Sequence, residues 1–361
     1  MFHPRGSDFE PDATDKEDNH IKRIQITIVE YEDLAALLPF EARSSEHLKD
    51  AYMLDLKNDN SVHIIACHAD GAGYAMTTLT QLFFRHTAGR SYTTMAPFHI
   101  ADAPRYVHRG LNLDVARSFY PVANIIRTIE AMADNKMNRL HLHITDSQAW
   151  PLEVPGMEEL AGKGAYGPQM TYSVEDLELI ISTGYLRGIK VYLEIDMPGH
   201  TASIYHSHPE LIAAYNVRPD WMSVAAEPPS GNMKLNSTAV QSFTQTLLKS
   251  VLEMSLPLTY YYPFHTGGDE IKFDAYRYDD TLQTDNPDVI RNQLQAFIDP
   301  VHQQIRHLSY QPVVWEEMLL KYNLTLGNDV IVQTWLGLNS TRKVVEAGHE
   351  VIVSDSDYWV S

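Results

Sequence analysis

The sequence predicts an α/β protein: a (β/α)8 barrel lacking its last strand, preceded by a small α+β domain. Two observations carry this expectation. Short apolar strands and helical segments succeed one another in near-strict alternation from residue 104 onward, as parallel strands joined by helical crossovers require. The rival architecture, a doubly wound sheet, often advertises a Gly-rich phosphate-binding turn, and none is present.

Taken in order, residues 1–22 are polar and charged, contain Pro4 and Pro11, and read as a disordered arm. Residues 23–103 read as a partial α+β domain. Ile24-Gln-Ile-Thr-Ile-Val alternates apolar with polar residues, as a half-buried strand does. Ala51-Tyr-Met-Leu-Asp-Leu and Ser61-Val-His-Ile-Ile-Ala-Cys read as two more strands, paired as a hairpin through the Asn58-Asp-Asn turn. A helix is expected over 71–84, with Leu79, Leu82 and Phe83 on one side.

Residues 104–361 read as the incomplete catalytic barrel. Its strands are expected at Arg109-Gly-Leu-Asn-Leu-Asp, Arg139-Leu-His-Leu-His-Ile-Thr, Ile189-Lys-Val-Tyr-Leu-Glu-Ile and Tyr261-Tyr-Pro-Phe-His-Thr. Three more follow at Pro312-Val-Val-Trp, Val330-Ile-Val-Gln-Thr-Trp and Glu350-Val-Ile-Val-Ser. Helices are expected over 122–135, 174–188, 238–254, 290–308 and 341–347.

The 28 Lys and Arg against 47 Asp and Glu give a formal net charge of −19. Such a surface repels phosphate backbones and anionic lipid, so neither nucleic acid nor a membrane is an expected partner. The single cysteine, Cys67, excludes an intrachain disulfide and a cysteine-based zinc cluster. No run approaches the roughly 18 apolar residues of a membrane span. The first residues lack the apolar core of a signal peptide, yet Asn236, Asn323 and Asn339 each begin an Asn-x-Ser/Thr sequon.

Barrel active sites lie at the C-terminal ends of the strands, and polar residues collect there. The sharpest signal is Gly267-Gly268-Asp269-Glu270, in which two glycines admit close backbone approach and two carboxylates follow. Neighbours on a strand point to opposite sides, so this pair suits divided labour: Glu270 as proton donor, Asp269 orienting a substrate group. His143, Asp146 and His200 form a second set, since an imidazole beside a carboxylate holds its proton and can feed the electrostatics of a donor. His141 shares a face with His143 and reads as barrel filling. Trp315, Trp335 and Trp359 end three successive late strands and offer flat walls for sugar faces and acetamido methyl groups.

Together, Arg109-Gly-Leu-Asn-Leu-Asp114, His143-Ile-Thr-Asp146, Asp196-Met-Pro-Gly-His200 and His265-Thr-Gly-Gly-Asp269-Glu270 resemble glycoside hydrolase family 20, the β-N-acetylhexosaminidases. The resemblance covers about residues 23 to 359, with the 23–103 segment similar to the later part of the family's non-catalytic domain. It implies substrate-assisted retaining hydrolysis of terminal non-reducing N-acetyl-β-D-hexosamine residues, with the acetamido oxygen as nucleophile. By position Glu270 matches the acid/base and Asp269 the residue holding the acetamido group. Arg109 matches the residue binding the sugar hydroxyls, Asp146 and His200 a relay behind the acid, and Trp315, Trp335 and Trp359 the acetamido pocket. No metal or organic cofactor is implied. The implied partner is an N-acetylhexosamine-containing oligosaccharide or glycoconjugate, a chitin fragment or a glycan. A homodimer is admitted but not required. With the sequons, the resemblance suggests a secreted or lysosome- or vacuole-like destination.

One departure concerns the end of the chain. The family pattern places a Tyr directly after the aromatic residue that closes strand seven, then an eighth strand. Here Trp359 is followed by Val360 and Ser361, as translation through a typical intron start would encode. The expectation is therefore a mis-spliced or otherwise shortened end and weak or absent activity. The alternative function is an inactive homologue that at most binds carbohydrate. A zinc hydrolase built on His141-Leu-His143 is the rival chemistry, but no later strand offers an obvious His pair.

Overall fold

The computed structural model describes residues 20–39, 45–85, 91–255 and 262–355. The expected arm over 1–22 falls almost wholly outside the described residues, as do Trp359, Val360 and the region on which the expectation of weak activity turns.

The chain forms two compact units, one comprising residues up to Arg109 with Met132–Met137, the other Gly110–Ala131 and everything from Asn138. The first unit contains β1 (Arg23–Ile28), α1 (Tyr31–Leu37), α2 (Ser45–Lys49), β2 (Tyr52–Leu56), β3 (Ser61–Ala66), α3 (Ala69–Gln81), β4 (Phe84–Arg85), β5 (Ser91–Tyr92) and β6 (Phe98–Asp102). The main sheet runs β1-β3-β2-β6, with β2 antiparallel to both neighbours and β1 parallel to β3. The expected hairpin is present: Asn60 takes φ +61° and its N–H bonds the Lys57 carbonyl. Period-two alternation separates the faces. Tyr52, Leu54, Leu56, Val62 and Ile64 pack under Ala72, Tyr74, Ala75 and Leu79 of α3, while Met53 and Ile65 pack with Leu34, Leu38 and Leu48. The short elements α1, α2, β4, β5 and β6 were not anticipated.

The second unit opens with β7 (Gly110–Asp114) and α4 (Val122–Asp134), whose last turn groups with the first unit. It continues through β8 (Arg139–Thr145), α5 (Glu159–Gly164), α6 (Val174–Leu186), β9 (Lys190–Ile195), β10 (Ile212–Ala213) and β11 (Asn232–Met233). Then come α7 (Thr238–Met254), β12 (Tyr262–His265), α8 (Pro287–His307), β13 (Tyr310–Trp315), α9 (Glu317–Leu320), β14 (Ile331–Thr334), α10 (Leu338–Glu346) and β15 (Val351–Val353). Seven strands form one parallel sheet in the order β15-β14-β13-β12-β9-β8-β7, the serial neighbour pairing of a (β/α)8 barrel.

Local signals explain the helix starts. Ser173 and Asp176 form a capping box at α6, Asn286 caps α8 just before Pro287, and Ser237 caps α7. Leu140, Leu142, Val191 and Leu193 point outward under the helices and are fully buried. The alternate positions His141, His143, Tyr192, Glu194 and His265 share the other face of the sheet. Register sets His143 opposite Glu194 and Glu194 opposite His265, so a layer of buried polar groups crosses three strands.

Candidate active site

The strand ends converge on a chain of charged groups. A bulge between His143 and Thr145 ends β8 and delivers Asp146, which is fully buried. His143 Nε2 lies 2.7 Å from Asp146 Oδ2, and His200 Nδ1 lies 3.2 Å from Asp146 Oδ1. The other nitrogen of His200 faces Glu270 Oε2 at 3.5 Å and Asp269 Oδ2 at 3.8 Å. The order is therefore His143–Asp146–His200–Glu270, with Asp269 beside the last link.

Burial works against charge in this chain, and the neighbours overcome it. His200 and His143 are held well above the usual imidazole range by Asp146 and by their further carboxylates. Asp146 is held far below the carboxylate range by His200 and His143. Glu270 is lowered by its hydrogen bond to His200 and by that ring's charge.

The turn after β12 makes the placement of the two carboxylates. Gly267 and Gly268 take φ +66° and +97°, and Glu270 itself takes +53°. A Cβ at Gly267 would meet Asp196 Oδ1 at 1.9 Å, and one at Gly268 would meet the Met318 side chain at 2.5 Å. This corrects the expectation that Asp269 and Glu270 diverge as strand neighbours. The strand ends at His265, and the left-handed turn brings both carboxyls to the same imidazole. Asp196 Oδ1 accepts the Gly268 N–H at 2.8 Å. Burial and the adjacent Asp269 hold the Asp196 carboxyl well above its usual range.

Two arginines flank β7 and differ in their partners. Arg109 precedes β7, at the end of the strand opposite Asp114. Its guanidinium bonds Asp50 at 2.8 Å, Tyr74 Oη at 3.2 Å and the carbonyls of Tyr106 and Lys136. The cation at the strand mouth is Arg117, three residues past Asp114. It pairs with Asp114 at 2.7 Å, with Asp146 at 3.0 Å and with Glu227. Replacing Arg109 by Met is expected to lower stability by about 1–3 kcal/mol, because buried Asp50 loses its charged partner, and to leave KM unchanged. Denaturant unfolding beside steady-state kinetics checks this; a raised KM at unchanged stability would return Arg109 to the sugar.

The tryptophans differ. Trp315 is buried and donates its indole N–H to Glu194 Oε1 at 2.7 Å. Trp335 is part-exposed, and its indole N–H bonds Glu317 Oε2 at 3.1 Å. Burial, with Asp269 adding, pushes the Glu317 carboxyl up to about 7. Glu316 accepts the backbone N–H groups of Trp335 and Leu336, fixing the turn that carries this ring. Trp359 lies outside the described residues.

Among the described residues, three groupings bring donor atoms within 4.8 Å of one another: His141, Glu194 and His265; Asp146, His200 and Glu227; Asp196, His200 and Asp269. In the first, the His141 and His265 rings stack at 4.9 Å and 21°, so their in-plane lone pairs run side by side rather than converging on one point. The His141–His143 pair does not make a zinc site either, since both nitrogens of His143 face carboxylates within 2.8 Å.

The catalytic-domain profile of glycosyl hydrolase family 20 matches residues 106–360. The chain belongs to glycoside hydrolase family 20. It is 38% identical to a beta-hexosaminidase of Arthroderma benhamiae, over 99% of this chain and 59% of that protein. It is 31% identical to the beta-hexosaminidase of Emericella nidulans, over 93% and 56%. The chain thus spans somewhat over half the length of these curated relatives. Among solved structures, the chitobiase of Flavobacterium johnsoniae superposes with a TM-score of 0.72 at 27% identity, covering 85% of this chain and 46% of that one. The shared fold confirms the (β/α)8 barrel architecture with its small companion domain.

In this family 20 chain, the structure brings together Asp146, His200, Asp269 and Glu270 among the residues expected from sequence. It sets Trp335 beside Glu317, buries Trp315 against Glu194 and pairs Arg109 with Asp50. Sequence reasoning missed Arg117 and Glu227. Arg117 was findable, because it follows a strand's C-terminal end where Arg109 precedes the strand. Glu227 sits in a loop of Pro, Ser and Gly and carries no such signal.

Proposed function

We propose that this site hydrolyses terminal non-reducing N-acetyl-β-D-hexosaminides with the substrate's own acetamido oxygen as nucleophile. The observation that carries the reading is the pairing of Glu270 and Asp269 on one imidazole. Two carboxylates that straddle a glycosidic bond would act as acid and nucleophile; two gathered on one side leave the opposite face of the sugar to an internal nucleophile.

In the first step the acetamido oxygen attacks the anomeric carbon, Glu270 protonates the departing oxygen, and Asp269 accepts the acetamido N–H as positive charge grows on the oxazolinium. Asp196, by accepting the Gly268 N–H, fixes the turn that carries Asp269. In the second step Glu270, now ionised, takes a proton from water, which opens the ring at the anomeric carbon with net retention. His200, charged and backed by Asp146, stabilises the Glu270 carboxylate between steps. Arg117 offers the mouth its one guanidinium among the described residues that pairs with the Asp146 chain, and suits sugar hydroxyls. The substrate class is an oligosaccharide or glycoconjugate ending in N-acetylhexosamine. Release of 4-nitrophenol from the N-acetyl-β-glucosaminide tests the reading; purified protein with no such turnover, and none on the galactosaminide, overturns it.

The charge on His200 sets a pH dependence. The donor must be protonated, and in the free site its carboxyl lies below the usual range, so protonation is lost as pH rises. With a disaccharide substrate, kcat/KM is expected to fall with rising pH while still on the acid side of neutrality. Replacing His200 by Asn removes the positive charge and moves that fall to higher pH. A wild-type plateau running through neutrality into alkaline solution would contradict this account.

A further inference from the structure

Beneath the site lies Glu194, a fully buried carboxylate for which the steps above have no use. From β8, His141 Nε2 and His143 Nδ1 each lie 2.8 Å from its Oε2. From β12, His265 Nδ1 lies 3.2 Å from Oε1, while accepting the Gly267 N–H at 2.9 Å. From β13, the Trp315 indole donates to Oε1 at 2.7 Å. Tyr192 precedes it on β9, and Asp196 follows just past the end of that strand.

We propose that Glu194 is a positioning residue with two arms, one oxygen fixing Trp315 and the other holding the deep end of the chain that reaches Glu270. This rests on the functional reading above. The argument is geometric. His143 stands between two carboxylates, 2.7 Å from Asp146 and 2.8 Å from Glu194. Nε2 makes the hydrogen bond to Asp146, while the approach of Nδ1 to Glu194 Oε2 is a close ion-pair contact, and two carboxylates this near one ring favour the imidazolium. That cation balances Asp146, which also faces His200 and Arg117, the latter shared with Asp114 and Glu227. Burial opposes ionisation of Glu194, and His265, His143 and His141 outweigh it, holding its carboxyl well below the usual range. His141 is pushed down to about 4 by burial, and His265 Nδ1 is taken up accepting the Gly267 N–H, which leaves His143 as the charged partner.

Glu194→Gln separates the arms. The amide oxygen still accepts from Trp315, while the amide N–H donates to His143 Nδ1 and leaves that imidazole neutral. A positive charge next to Asp146 disappears together with a more distant negative one. Glu270 then sees a more negative surrounding and holds its proton more tightly, so the alkaline fall in kcat/KM moves to higher pH. The expected loss in kcat is roughly 10–10²-fold, less than the ~10⁴-fold seen when a carboxylate directly behind a catalytic histidine becomes an amide, with KM little changed. His143→Gln should reproduce the pH shift and the kcat loss. Trp315→Phe, which cuts only the other arm, should raise KM without moving the pH profile.

The test pairs kinetics with 15N NMR of the histidine side chains in the full chain, assigned by the signals lost in His143→Gln. The expected result is a doubly protonated His143 across the neutral range in the parent and a neutral one in Glu194→Gln. A neutral His143 in the parent overturns the proposal. So does an unmoved pH profile in both Glu194→Gln and His143→Gln, which would leave Glu194 a packing residue. A parent with no turnover would defeat the functional reading alone, and the NMR result would still decide this one.

Discussion

Glu270→Gln is expected to reduce kcat/KM by about 10²–10⁴-fold on a substrate whose leaving group is another sugar, and far less on a 2,4-dinitrophenyl glycoside. A sugar alkoxide is too basic to leave without a proton, whereas dinitrophenolate needs almost none. Gln preserves the size of the side chain and can still accept from His200 Nε2, which lies 3.5 Å from Glu270 Oε2 in the parent. Glu270 is half-buried and its left-handed backbone is set by the preceding glycine turn, so unfolding temperature should barely move. The discriminating quantity is the ratio between the two substrates. Equal losses on both would assign Glu270 to binding instead.

Asp269→Asn is expected to cost about 10²–10³-fold in kcat on N-acetyl substrates, the range for removing one preorganised electrostatic contact to developing charge. The oxazolinium is positive where the acetamido nitrogen was neutral, so a carboxylate favours it over the ground state and an amide does so far less. The Gly268 turn is held by Asp196 Oδ1 at 2.8 Å and does not depend on the Asp269 side chain, so it should survive. The loss should therefore appear in kcat with the fold intact. Undiminished kcat on the N-acetyl-β-glucosaminide would remove Asp269 from the acetamido step.

Much of this arrangement was legible residue by residue because each signal is local. Helix α7 occupies the expected Thr238–Met254, since Ser237 caps it and Val240, Phe243, Leu247, Leu248 and Val251 keep one apolar face. Strand β8 occupies the expected Arg139–Thr145. Asp146, His200 and Asp269-Glu270 could be singled out because each follows a strand, where barrel chemistry gathers. Arg109 was assigned to the sugar because the quoted motif was read as a unit; β7 runs from Gly110 to Asp114, so Arg109 precedes the strand and Arg117 follows it. The role of Glu194 depends on register across β8, β9 and β12 and on a contact to Trp315 121 positions away, which no local pattern encodes. The shared imidazole of Asp269 and Glu270 depends on positive φ after a strand that ends sooner than alternation suggests.

The central claim is that the nucleophile belongs to the substrate. It is tested most directly by comparing hydrolysis of 4-nitrophenyl N-acetyl-β-glucosaminide with that of 4-nitrophenyl β-glucoside, which differs in bearing a hydroxyl where the acetamido group stands. The account predicts turnover of the first and none measurable of the second, since it assigns Glu270 to proton transfer and Asp269 to the acetamido group and leaves no protein nucleophile. Comparable rates on the two substrates would mean that the protein supplies the nucleophile, and would contradict the account.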